Sequence, residues 1–397
     1  MLEDQRLPSL DGLRGIAASS VLVHHALIVT FPQLRDVYSS AFPISPFGSW
    51  EWWLTHSPLH LLWLGAESVY VFFILSGIVL VLPVLRSTQF DWRRYYPSRL
   101  IRLYLPVWVS LGFAVLVTLA LGRVVSDGLF ESRAHLLTPT RIALDAVLVV
   151  GVSNIDGVLW SLRWEVLFSL LLPLFVLVAV KLRSMLWIKL ATLAALVLVS
   201  TVGLGLRGTA ASTVFYLSMF AVGALMAAEM KRLRSWAAHI ESHAHARVWW
   251  TALILTAATL VGSHWALLLL SPPESVLLGA RTLSLVGAAL VVFIGAFHPL
   301  TRRLLESTPA QWLGRISFSL YLTHAIVVEA AVEVLPGDLE ALAIPLGIIA
   351  SFGVAVLFQR LVETPSHRLA QAIKHRRPQT LAHDETSKVH SRPAREE

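Results

Sequence analysis

The stretch LPSLDGLRGIAASSVLVHHALIVTF, Leu7–Phe31, decides the fold. It is apolar for long enough to cross the ~30 Å hydrocarbon core of a bilayer, a crossing that takes about 20 helical residues. Arg14 and His25 both lie on it. At about 100° per residue they are about 1100° apart, roughly 20° past three full turns, with a rise of about 16 Å between them. The two side chains therefore share one face, the arginine near the entrance and the histidine near the middle. An ionisable group at that depth is costly and usually faces a bundle interior or a water-filled cavity.

The same apolar character recurs along all 397 residues. The chain is 56% hydrophobic and 14% charged, with a mean hydropathy of +0.67, whereas soluble domains carry about 25% charged residues. Further apolar runs are expected to span at about 62–83, 100–121, 159–180, 186–206, 213–230, 249–270, 276–297, 316–335 and 341–361. The expected fold is all-α, a polytopic membrane bundle of about ten helices. One membrane domain covers 1–375, and a disordered, basic cytoplasmic tail covers 376–397. Ile142–Ser153 is apolar but short, and a run of that length lies at the interface or re-enters.

Lys and Arg placement orients the bundle. With ten spans and both termini cytoplasmic, 25 of the 32 basic residues fall inside. An odd number of spans breaks that alternation. The outer loop Phe31–Leu61 carries Trp50, Trp52 and Trp53, suited to the headgroup zone. The N-terminus lacks a basic n-region and a cleavage site, so the first helix is expected to be retained. No internal repeat supports an inverted-repeat transporter. Cysteine is absent, which excludes a disulfide framework, an enzyme-bound thioester and thiolate metal sites. Neither a phosphate loop nor an HExxH pattern occurs, and no metal, permanently bound cofactor or nucleic acid is expected.

Several residues have both a chemical and a structural reading. His25, uncharged in a dry site, can take a proton from a hydroxyl attacking a carbonyl; alternatively it is packing glue between helices. Arg14 either binds carbonyl and anionic oxygens with its planar fork or snorkels to headgroups, with Asp11 as an i,i+3 partner. Arg93, Arg94, Arg99 and Arg102 at the entrance of the third span suit a phosphate-rich cytoplasmic ligand, or simply obey the positive-inside rule. Ser161 and Glu165 share a face of the fourth span, with Glu165 about 10 Å below its outer end. Ser317, Tyr321 and His324 follow i, i+4, i+7 spacing on the ninth. Ser76 and Gly77 form a small patch that suits close helix approach. Glu67 marks the outer end of the second span, and Glu363 pairs with inner arginines.

The ordered set LPSLDGLRG with its histidine, VFFILSG, RLIRLYLP, WSLRWE, SLYLTH and VETP resembles the acyltransferase 3 family of bacterial integral membrane proteins. The resemblance covers most of the chain. It implies transfer of an acyl group, commonly acetyl, from cytoplasmic acyl-CoA as co-substrate to a hydroxyl of a carbohydrate or glycolipid. It also implies a multi-pass protein of the inner (plasma) membrane. Arg14 and His25 match the family's key pair. Glu165 is then expected beside them as catalytic, the four arginines as donor-binding, and Asp11, Ser76, Ser161, Tyr321 and His324 as further lining. A separate extracytoplasmic hydrolase-like domain, carried by some members, is not expected. The rival expectation is a proton-coupled transporter or a lipid or glycolipid flippase. It accounts for buried His and Glu but not for the motif set. General base and acyl-histidine carrier both stay open for His25.

Overall fold

In this computed structural model the described residues are 7–36, 45–124, 128–181, 185–202, 208–335 and 339–375. The expected tail, 376–397, lies outside them. The regular elements among the described residues are all helical, with no strand. In chain order come α1 (Pro8–Thr30), α2 (Pro32–Asp36), α3 (Trp50–His56), a 3-10 turn (Pro58–Leu62), α4 (Ala66–Arg86), α5 (Trp92–Leu121), α6 (Leu129–His135) and α7 (Pro139–Val147). Then follow α8 (Leu159–Lys181), α9 (Leu186–Val202), α10 (Gly208–Ala228), α11 (Met230–Ser242), α12 (Ala246–Val261) and α13 (Ser263–Leu268). The chain continues through α14 (Glu274–Phe297), α15 (Pro299–Leu305), α16 (Thr308–Val334), α17 (Glu340–Phe358), a π turn (Gln359–Glu363) and α18 (Thr364–His375).

Among the described residues, eight helices are long and apolar enough to cross a membrane: α1, α4, α5, α8, α10, α14, α16 and the continuous run Leu342–Lys374. The fifth and seventh expected spans appear as the shorter apolar helices α9 and α12, at about 25 Å each. Both pack along the long helix α14. The third span begins earlier than its hydropathy suggests. Asp91 caps α5, accepting a hydrogen bond from Arg94 N at 3.1 Å, so the basic segment is itself helical.

The tightest packing joins α1 to α16. Gly15 and Gly314 face each other across it, and a Cβ on either would strike the partner's backbone. Small residues permit such an approach in a bilayer, where association rests on packing rather than on a hydrophobic difference from lipid. The main core gathers α4, α8, α10 and α14 around Phe168, Phe220 and Ile74.

The segment before α8 departs from a simple surface loop. Arg133 makes a double hydrogen bond to Glu329 at 2.8 and 3.0 Å. The Glu333 carboxylate accepts from Phe130 N at 3.1 and 3.2 Å. Asp145 accepts from the backbone N–H groups of Ser153 and Ile155. After α7 the chain descends between α5 and α16, burying Leu148 and Ile155 against Leu103, Val107 and Leu322. Ile142–Ser153 therefore belongs to a re-entrant segment, and α8 starts inside the bundle.

That segment carries Asp156, fully buried, with its Oδ2 2.7 Å from Ser110 Oγ. Ser110 Oγ is also 2.8 Å from the Leu322 carbonyl. One hydroxyl has one proton, and the carbonyl can only accept, so the Asp156 carboxyl supplies its own. Burial pushes that carboxyl from its ordinary 3.8 up to about 7. The folded chain then keeps a proton that the unfolded chain releases, so the stability this group contributes falls as pH rises through that interval. The melting temperature of Asp156→Asn relative to the unaltered protein should accordingly rise between about pH 5 and about pH 8. A difference that stays flat with pH contradicts a protonated Asp156.

Candidate active site

A cavity of about 620 Å³ opens at the Arg-rich end of the bundle, between α1, α4, α5, α8, α16 and the π turn with α18. Its mouth carries Arg14, Arg99, Arg102 and Arg315, with Gln311 and Gln371 at the rim. Its far end is walled by Val69, Phe72, Phe73 and Leu162. There the polar lining reduces to Ser161 and Tyr321, whose hydroxyls are 2.7 Å apart and form a roof.

Each cation near the mouth is placed by a specific partner. Arg14 donates through Nε to Ser317 Oγ at 3.0 Å and through a terminal nitrogen to the Gly314 carbonyl at 3.1 Å. Asp11 lies 3.5 Å from the same guanidinium. Arg99 reaches Glu165 Oε1 at 2.5 Å and Ser169 Oγ at 3.3 Å. Glu165 is thus not beneath an outer surface, because the re-entrant segment lowers the start of α8. It meets an arginine about 10 Å along α5 from that helix's basic end. Arg102 and Arg315 form no ion pair among the described residues.

Of the residues expected from sequence, Asp11, Arg14, Arg99, Arg102, Ser161, Glu165 and Tyr321 share this cavity. Arg93 and Arg94 do not. They lie six and five residues before Arg99 on one helix, about 240° and about 140° around it, and Arg94 instead contacts Asp91 and the Lys374 carbonyl. Ser76 contributes no lining, with bulkier Phe72 and Leu80 one turn to either side. Beside it, Gly77 packs against the backbone of Phe220 and Gly223 on α10, the close approach expected there.

His25 and His324 stand apart from the lining as well. His324 Nε2 is 2.9 Å from His25 Nδ1, and Tyr321 lies below them with its ring centroid 5.9 Å from that of His324. His324 Nδ1 faces two carbonyls, Leu320 O at 2.9 Å and Tyr321 O at 3.0 Å, so that nitrogen carries the hydrogen. For two neutral rings this assigns the rest by elimination. His324 Nε2 accepts, His25 Nδ1 donates, and His25 Nε2 keeps its lone pair.

Glu363 lines the cavity too, accepting from Ser319 Oγ at 2.6 Å, with His367 3.8 Å away. Its direct partners are a serine and a histidine rather than the arginine expected. Gln359, His367 and Gln371 join it on the same wall. Their four-residue spacing was the available signal.

The family profile described as "Acyltransferase domain", the acyltransferase 3 family, matches residues 7–360, and the chain belongs to that family. Among curated proteins it is similar to "Acyltransferase clz18" of Cochliobolus lunatus, 31% identical over 108 residues, a match spanning 23% of each protein. No solved structure matches. The chain is therefore a multi-pass membrane protein of that family.

The Arg99 and Glu165 side chains are only 11% and 19% exposed. Removing one partner leaves a buried charge uncompensated, at a cost of about 3–5 kcal/mol, whereas replacing both with apolar groups is near neutral. Glu165→Leu should therefore melt well below Arg99→Leu/Glu165→Leu in thermal unfolding. The reverse order contradicts a buried pair.

Proposed function

We propose that this acyltransferase moves a short acyl group, acetyl foremost, from cytoplasmic acyl-CoA to a hydroxyl of a carbohydrate or glycolipid. The observation that carries the reading is the polarity gradient of the cavity, cationic at the mouth and apolar at the blind end. A donor with phosphates at one end and an acyl thioester at the other has the same gradient. Planar guanidinium forks suit phosphate oxygens. Arg102 and Arg315, without ion pairs among the described residues, are the cations free to meet them. The positive-inside rule puts that mouth in the cytoplasm.

His25 is the base in this reading. Its Nε2 lone pair takes the proton as the acceptor oxygen attacks the thioester carbonyl carbon. The carbon–oxygen bond forms, the carbon–sulfur bond breaks, and the departing thiolate receives that proton. The products are an ester and a free thiol. His324 acts as a positioning residue, fixing the His25 tautomer through the Nδ1 contact. The Ser161–Tyr321 roof stands between cavity and histidines, and opening it forfeits one hydrogen bond, about 1 kcal/mol net.

Purified protein with labelled acetyl-CoA and a glycan or lipid extract tests the assignment. His25→Ala should lower transfer by about 10²–10⁴-fold, the usual contribution of a general base, without loss of folded protein. His324→Leu should cost about 10–100-fold, as for a group that orients another. Arg14→Ala should raise the donor KM more than it lowers kcat. Normal transfer by folded His25→Ala, or proton-coupled uptake with no labelled product, would overturn the reading.

A further inference from the structure

On the side of α1 away from the cavity lies a second depression, an apolar groove of about 410 Å³. Leu13, Ile16, Ala17, Ser20 and Val23 of α1 form one wall, over a length of about 15 Å. Val71 of α4, Val261 of α12 and Val291 of α14 face it. Glu67 closes its outer end, on the first turn of α4 as expected but only 5% exposed. Its Oε1 accepts from Trp265 Nε1 at 3.3 Å, while its Oε2 is buried without a partner. The other polar side chains there are committed. Ser20 and Ser68 both donate to the Leu64 carbonyl at 2.8 Å.

That carbonyl belongs to the Leu64–Gly65 link between groove and histidines. Gly65 has no side chain because the His24 ring occupies the space, and His24 is the neighbour of His25. A ligand head beside Glu67 is thus separated from the histidines by a single stretch of backbone.

We infer that this groove holds a neutral glycolipid, its alkyl tail lying along α1 and its sugar hydroxyls donating to Glu67. The inference rests on the transfer reading insofar as this lipid is the acceptor. Three features favour this occupant. The groove is apolar along its length, so it suits a tail. An unpartnered buried carboxyl oxygen needs a hydrogen-bond donor, which a sugar hydroxyl supplies. A phosphate head has no proton to give that oxygen and is disfavoured there. Arg281 acts electrostatically on Glu67 but makes no ion pair with it among the described residues.

Photolabelling in phosphatidylcholine vesicles tests this, using an alkyl β-glucoside with a diazirine in its tail. Label should map to peptides covering Ile16–Val23 and Glu67–Val71. Excess unlabelled glucoside should remove it, and the alkyl phosphate and alkane of equal chain length should compete at least about tenfold more weakly. Val71→Trp, which fills the groove, should abolish the labelling. Glu67→Leu should leave labelling in place but erase the preference for glucoside over alkane. Equal competition by all three compounds, or label spread evenly over α5 and α9, would overturn the inference. Labelling needs no turnover, so the two readings fail separately. Specific labelling without acyl transfer leaves the groove standing, and transfer to soluble sugars without labelling removes it.

Discussion

Close packing of α1 on α16 is the constraint from which the candidate site follows. Gly15 and Gly314 let the two backbones approach until side chains a helical turn away are in bonding range. Arg14 then reaches Ser317 and the Gly314 carbonyl, and three turns further on His25 reaches His324. Both helices run the same way, so the two contacts follow one another along one seam. A side chain larger than glycine at either position pushes the helices apart along the whole seam. The histidine contact, at the far end, has least tolerance for that movement.

Burying charge in a bundle requires an answer for each group, and the answers here are local. Arg99 and Glu165 neutralise each other. Asp11 offsets Arg14. Asp156 keeps its proton, as the single hydrogen of Ser110 dictates. The histidine pair distributes two hydrogens among four acceptors, the Val21, Leu320 and Tyr321 carbonyls and His324 Nε2, without needing a charge. The re-entrant segment makes the first and third of these answers possible, since it lowers α8 far enough for Glu165 to face Arg99 and sets Asp156 against α5.

Helical periodicity made much of this legible in the sequence. The shared stripe of Arg14 and His25, and the Ser317, Tyr321, His324 stripe on α16, follow from 100° per residue alone, and the two stripes do face each other. Facing away of Arg93 and Arg94 obeys the same arithmetic, but it becomes readable only once α5 is known to begin at Trp92. Hydropathy does not place that start, because an Asp91 cap and three aromatics, Trp92, Tyr95 and Tyr96, rather than aliphatics, carry the first turns. Hydropathy alone also leaves out the depth of the re-entrant segment. That depends on Asp145 and Asp156 being satisfied by partners far away in sequence. Hydropathy therefore sets Glu165 too close to the outer surface. The roof was invisible for a similar reason: Ser161 and Tyr321 were each recognisable as lining, but their bond joins helices 160 residues apart.

The wall opposite α1 depends on a departure from regular helix. Gln359, Glu363, His367 and Gln371 recur every four residues. In an uninterrupted α-helix each such step overshoots a full turn by about 40°, so the fourth residue would have drifted about 120° from the first. All four nevertheless line one cavity. The π turn at Gln359–Glu363, with its i→i+5 bonding, turns less per residue and takes up part of that drift. It thereby brings Glu363 in as the third carboxylate, beside Asp11 and Glu165, in a cavity with four guanidiniums. For the proposed donor this balance matters. Uncompensated, four arginines would hold the released thiol product as firmly as the incoming thioester, and such uniform binding does not accelerate transfer. Three carboxylates leave a modest positive excess, concentrated on Arg102 and Arg315, enough to attract a polyanion without retaining it.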